Sequence, residues 1–159
     1  MTKFLLAVHV IAAILAVGPV AVAASMFPPA ARRALAPDAA GPGGSGGSGG
    51  PGAAGTLRVL HRICRVYAVV GVVVPVFGFA TASRMGVLGS AWLIVSIALT
   101  ALAALVLAAL VLPAQSALVE GDGTAAATAR LAMSTGLFNL LWATVTVLMI
   151  VRPGSTTGA

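Results

Sequence analysis

Carboxylates are nearly absent from this sequence: the 159 residues hold three, Asp38, Glu120 and Asp122, and none lies inside a long apolar run. That scarcity removes the raw material for two-carboxylate hydrolysis, for a carboxylate proton relay across a membrane and for an all-oxygen metal site. Cys64 is the single cysteine, which excludes an intramolecular disulfide and any CxxC redox or zinc motif. No HExxH occurs, and the glycine-rich run follows no strand pattern and lacks the lysine of a phosphate-binding loop. Charged residues make up 8% of the chain, against about 25% in a soluble domain. These absences point away from an enzyme and away from a metal site.

What the chain has in abundance is apolar side chain, 60% of all residues. It gathers in four segments, roughly Phe4 to Met26, Val66 to Ala82, Ala91 to Leu112 and Leu131 to Val151, with no charged residue in any of them. About 20 apolar residues cover a hydrocarbon core about 30 Å thick, so the second segment needs a helix that begins earlier, near Leu57. The expected fold is all-α: one polytopic membrane domain, a four-transmembrane-helix antiparallel bundle with helices near 4–26, 57–82, 91–112 and 131–151. Pro28-Pro29 is expected to end the first helix, because proline lacks a donor and pushes its predecessor out of helical geometry. Residues 41–55, GPGGSGGSGGPGAAG, read as a flexible tether, natural or engineered.

A net charge of +6 would suit nucleic acid, but the basic residues sit at the ends of apolar segments, which is a membrane pattern. Arg32, Arg33, Arg58, Arg62, Arg65 and Arg130 fall in the first and third connections, whereas Lys3, Arg84 and Arg152 fall on the other side. The positive-inside rule then makes those two connections cytoplasmic and puts both termini outside, in a multi-pass plasma (inner) membrane protein. A cleavable signal ending at Ala21-Val22-Ala23 is the alternative; it would put five arginines outside, and its apolar run is longer than the usual 7 to 15 residues. Arg58, Arg62 and Arg65, with Arg32 and Arg33, are read as headgroup and topology anchors, each worth about 1 kcal/mol against anionic lipid.

Inside lipid, small-residue stripes mark packing faces. Such stripes run along His9, Ala13, Ala16 and Val20; along Leu57, His61, Cys64, Ala68, Gly71, Pro75, Gly78 and Ala82; along Ser96, Thr100, Ala104 and Ala108; and along Ala132, Gly136, Asn139, Ala143 and Thr146. Gly18-Pro19 and Pro75 are expected to kink their helices.

Two histidines are the ionisable groups of the spans, His9 near the outer end of helix one and His61 near the cytoplasmic end of helix two. Antiparallel helices would hold them about 20 Å apart along the membrane normal, too far to share a metal or haem iron within one chain. Depth counting puts Gly78, Ser96 and Thr146 in a layer with His9, so its N–H would go to Ser96 or Thr146, or the ring would serve as a single axial ligand above the space that Gly78 leaves. Asn139 lies near the midplane, with Gly71, Pro75 and Thr100 as depth partners; it is interhelical glue or, less conservatively, a substrate contact.

The opening of helix one, His9-Val-Ile-Ala-Ala-Ile-Leu-Ala-Val-Gly18, resembles that of a family of small four-helix bacterial membrane proteins, domain of unknown function 2269. The resemblance extends to the basic start of helix two and to the four-span layout. The same opening is more distantly similar to the CopD copper-resistance family and to the protoporphyrinogen oxidase HemJ, where the resemblance implies a helix-one haem ligand; carried over, that role falls on His9. Val17 stands where those relatives usually have tryptophan, and helix three has no lysine.

The sequence thus predicts an integral membrane protein in the lipid bilayer, without a nucleic-acid partner. It is expected to be non-enzymatic and to act through packing with itself or a membrane protein partner, around a small lipophilic ligand. A haem b redox protein using His9 is the first alternative, and a subunit of an oligomeric small-molecule or metal transporter is the second.

Overall fold

A computed structural model of the chain describes residues 2–36 and 51–154. These residues form six α-helices and one π-helical turn: α1 (Thr2–Leu35), α2 (Pro51–Gly71), α3 (Val73–Met85), α4 (Ala91–Val106), a π turn (Leu107–Val111), α5 (Leu112–Glu120) and α6 (Ala125–Val151). The helices join into four spans long and apolar enough to cross a membrane, Lys3–Leu35, Gly52–Met85, Ala91–Glu120 and Ala125–Val151. The chain is an all-α four-helix bundle, a multi-pass membrane protein. Its surface carries Ile14 at 66%, Val69 at 73%, Met133 at 75% and Ile150 at 72% exposure, a display that only lipid makes favourable.

α1 packs on α2, α3 and α6, α4 packs on α6, and α5 returns to α2, so consecutive spans are neighbours around the ring. The loop end holds the end of α1, the start of α2 and the turn between spans three and four. The terminal end holds the start of α1, the turn after α3 and the end of α6. Gly86 at φ 67° and Gly121 at φ 98° cap α3 and α5 in the left-handed conformation, where a side chain would be strained.

Every span outruns its apolar segment. Pro28 and Pro29 do not end α1, which continues to Leu35. Proline's fixed φ is itself helical, and the lost donors are offset by packing: Phe27 and Ala31 on this extension are 0% exposed. Helix two begins at Pro51 rather than Leu57, using proline where the first turn needs no donor. Residues 51–55 of the expected tether are therefore helical, while 41–50 lie outside the described residues. Span three continues to Glu120 and α6 starts at Ala125, where the Thr124 hydroxyl accepts from the Ala127 N–H at 3.1 Å.

Both breaks within the spans trace to proline. Pro75 cannot donate to Gly71 and its ring crowds that carbonyl, so α2 stops there and the Val72 N–H turns to Val69 O at 3.1 Å. Pro113 likewise cannot serve Ala109, and the adjacent turn widens until the Leu112 N–H reaches Leu107 O. The kink expected at Pro75 is thus present as a break, whereas α1 runs unbroken through Pro19.

Two of the four expected inward stripes hold. On α1 the buried face runs Ala16, Val20, Ala23, Ala24, Phe27 and Ala31, with His9 and Ala13 half-buried above it. On span two Leu57, Cys64 and Ala82 are buried, but Pro75 is exposed and Val74 takes the inner place. Ser96 is buried on span three, yet Ala104 and Ala108 are exposed, because uniform steps of four overshoot the 3.6-residue repeat and the inner face runs instead through Ala103, Leu107, Val111, Gln115 and Leu118. On α6 the expected stripe is displaced: Gly136, Ala143 and Thr146 are exposed, and Thr128, Leu131, Thr135, Phe138 and Val145 are buried. Large side chains win this contest because the loop-end half of the bundle is filled by Phe27, Leu131 and Phe138, all at 2% exposure or less.

Candidate functional site

The loop-end core closes around a polar chain. His61 on α2 stands across from α5, its Nδ1 3.2 Å from Gln115 Oε1 and its Nε2 3.4 Å from Ser116 Oγ. The Gln115 Nε2 donates onward to Cys64 Sγ at 3.5 Å. With the amide so oriented, Gln115 Oε1 accepts from His61 Nδ1–H, and the imidazole's own Nε2 accepts from the Ser116 hydroxyl. Gln115 and Cys64 are 0% exposed while His61 is half-buried, so the imidazole joins an enclosed amide to the surface.

Two open grooves meet at that imidazole. The first, about 480 Å³, runs between α2 and α5 and is lined by His61, Arg65, Leu112, Pro113, Ser116, Ala117 and Glu120. The second, about 510 Å³, lies along α2 beside His61, Arg62, Arg65, Val66 and Val69. Both have polar walls on the loop side and aliphatic walls toward the span interior, as an interfacial ligand requires. Arg32, Arg33, Arg58 and Arg130 are exposed elsewhere at this end, so the basic residues gather here as expected.

The terminal end treats its histidine differently. His9 Nδ1 lies 3.0 Å from the Val74 carbonyl oxygen, which can only accept, so Nδ1 carries the proton and Nε2 the lone pair. The ring seats on Gly78, where an added Cβ would come within 2.9 Å of Cε1. Gly78 is thus brought to His9, as depth counting expects, but Ser96 and Thr146 are not. Ser96 Oγ donates to Trp92 O at 2.8 Å, and Thr146 Oγ1 donates to Trp142 O at 2.9 Å. The space over Gly78 is filled by the imidazole itself. Near this end Arg152 stacks on Trp92 at 5.8 Å.

From residue 61 to residue 74 span two rises roughly 20 Å at about 1.5 Å per residue, so the histidines occupy separate sites. Among the described residues no group of three or more His, Cys, Asp or Glu could hold a metal ion. Asn139 pairs with none of its expected partners; its Nδ2 donates to Ser25 Oγ on α1 at 2.9 Å. Its Oδ1, the Thr135 hydroxyl and Trp92 Nε1 are buried without a partner.

Gln115, Ser116 and Glu120 are the residues that sequence reasoning misses. They fall in what hydropathy assigns to a loop, yet Leu107, Val111, Gln115 and Leu118 continue one helical face, and that periodicity was the available sign. No protein-family model, no curated protein and no solved structure matches this chain.

Proposed function

We propose that this chain is a non-enzymatic plasma-membrane protein, both termini outside, that holds a small lipophilic ligand at the His61 end and packs there with itself or a membrane partner. The observation that carries this reading is the α2–α5 groove, with apolar Leu112, Pro113 and Ala117 on its walls and His61, Arg65 and Ser116 at its rim. A ligand with one greasy and one polar end matches such a lining. The gathering of six arginines at the loop end supports the orientation, since cytoplasmic connections carry the excess of basic residues.

Filling the groove tests the binding role. Lipophilic material extracted from the purified protein is expected in the wild type and depleted in Ala117→Trp; equal amounts from both would refute it. Orientation is read separately, in a Cys64→Ala background. A cysteine at Ser45 resists an impermeant thiol reagent in intact cells while one at Ser155 is labelled, and the reverse pattern would invert the topology.

The haem b alternative retains one favourable observation: a histidine that donates Nδ1–H to a carbonyl presents Nε2 as a ligand. Against it, the ring fills the Gly78 notch, which leaves no room there for a macrocycle. A Soret band after haem-replete expression, lost in His9→Ala, would revive it. The transporter alternative needs an oligomer, and a monomeric, monodisperse protein in mild detergent would remove it.

A further inference from the structure

The walls of the α2–α5 groove carry one fixed charge of each sign, and this selects among lipophilic ligands. Arg65 projects from α2 and Glu120 from the last residue of α5; both line the groove and both are exposed. Among the described residues neither side chain makes a side-chain hydrogen bond with the other or with a third group, so each brings unused capacity to a ligand. Between them stand the His61 imidazole and the Ser116 hydroxyl, already linked to buried Gln115 and therefore fixed in place.

Depth matters as much as charge. His61 and Arg65 precede the apolar stretch that starts at Val66, and Ser116 and Glu120 follow the one that ends at Leu112, so the polar rim stands at headgroup level and Leu112 lies at its hydrocarbon side. The neighbouring groove differs: Arg62 and Arg65 border it with no carboxylate, the lining expected of a general anionic-lipid contact. A purely anionic headgroup suits that second surface and would meet Glu120 as a like charge in the first.

Resting on the reading of this groove as a lipophilic-ligand site, we propose that it binds a phospholipid whose headgroup holds both a phosphate and a primary ammonium. The phosphate lies against the Arg65 guanidinium, whose charge-assisted donors favour it, beside the His61–Ser116 pair. The ammonium donates to the Glu120 carboxylate, and an acyl chain follows Leu112 into the membrane. A quaternary ammonium lacks the N–H donors that this arrangement uses.

The test is a binding titration on the full chain in detergent micelles, with fluorescent phosphatidylethanolamine, phosphatidylcholine and phosphatidylglycerol as probes. Phosphatidylethanolamine is expected to bind about fivefold more tightly than either of the others. Glu120→Gln abolishes that preference, and Arg65→Gln weakens phosphatidylethanolamine by on the order of fivefold, whereas Arg152→Gln at the opposite end leaves all three as in the wild type. Both substituted groove side chains are exposed, so folding is not at stake.

A wild-type preference for phosphatidylglycerol, or a preference untouched by Glu120→Gln, overturns the headgroup assignment. If Ala117→Trp then still removes binding, the groove stands and only the headgroup is wrong. If Ala117→Trp binds every lipid as the wild type does, the groove reading itself fails. Soluble phosphoethanolamine at millimolar concentration is expected not to displace the lipid; displacement would identify the free headgroup as the ligand and overturn the lipid source.

Discussion

The bundle carries one histidine near each end and uses them in opposite ways. At the terminal end His9 is consumed by packing: its proton goes to a backbone carbonyl and its ring fills the notch over Gly78. At the loop end His61 is built into a side-chain network and still borders two grooves. The cores differ in the same direction. Sixteen buried residues make one cluster that reaches from Val20 and Leu141 to the loop end, while the second cluster is Ala82, Trp92 and Leu93. A well-packed frame around a partly open polar network can position a ligand; a single histidine wedged against glycine fastens two helices.

Breaking the frame has the largest effect. Phe27→Ala is expected to cost about 3 kcal/mol of unfolding free energy, read by denaturant titration in micelles, because Phe27 is 0% exposed and its truncation leaves a cavity in the core. Val76→Ala on the lipid face, at 62% exposure, is expected to cost under about 0.5 kcal/mol. Equal losses would erase the contrast between interior and lipid surface.

Next come the two histidine environments. Gln115→Leu leaves Cys64 and His61 Nδ1 without their partner in an enclosed site and is expected to cost about 2 kcal/mol. Gly78→Ala forces the His9 ring off its seat and away from Val74 O, at about 1.5 kcal/mol. The double variant His9→Ala, Gly78→Ala is expected to be no less stable than His9→Ala alone, since the added methyl then has room. Additive losses would show that the ring and the glycine do not interact, sharpening or removing the wedge at the terminal end.

The smallest effect belongs to the midplane. Asn139→Leu gives up one hydrogen bond to Ser25 but also removes a buried oxygen that has no partner. Measured interhelical bonds in membranes average about 0.6 kcal/mol, so the change is expected within about 0.5 kcal/mol of neutral. A loss above about 2 kcal/mol would transfer importance from the ends of the bundle to its centre.

How legible this was in the sequence depended on which force governed each element. The inner face of α1 could be read from His9, Ala13, Ala16 and Val20 because one helix with a single strongly polar side chain leaves little choice of face. The face of α6 could not: small residues suggested Gly136 and Ala143, but the interior there is wide enough for Phe138 and Leu131, and filling it with large side chains gains more dispersion contact. The ends of the spans were hidden for another reason. Pro28, Pro29, Pro113 and the polar residues Gln115, Ser116 and Glu120 look like breaks in hydropathy, yet packing against neighbours keeps each helical. The Gln115 network lay inside that error. His9 was correctly matched with Gly78, but its hydrogen bond went to a backbone carbonyl, which depth counting of side chains does not consider.

The most direct measurement maps where a ligand sits. The purified chain is irradiated with a photoactivatable phosphatidylethanolamine, with and without excess unlabelled lipid, and the labelled peptides are sequenced. Displaceable label is expected to concentrate on residues 61–69 and 112–120. Displaceable label on the segments holding His9, Val74 and Gly78, with none at His61, would contradict it.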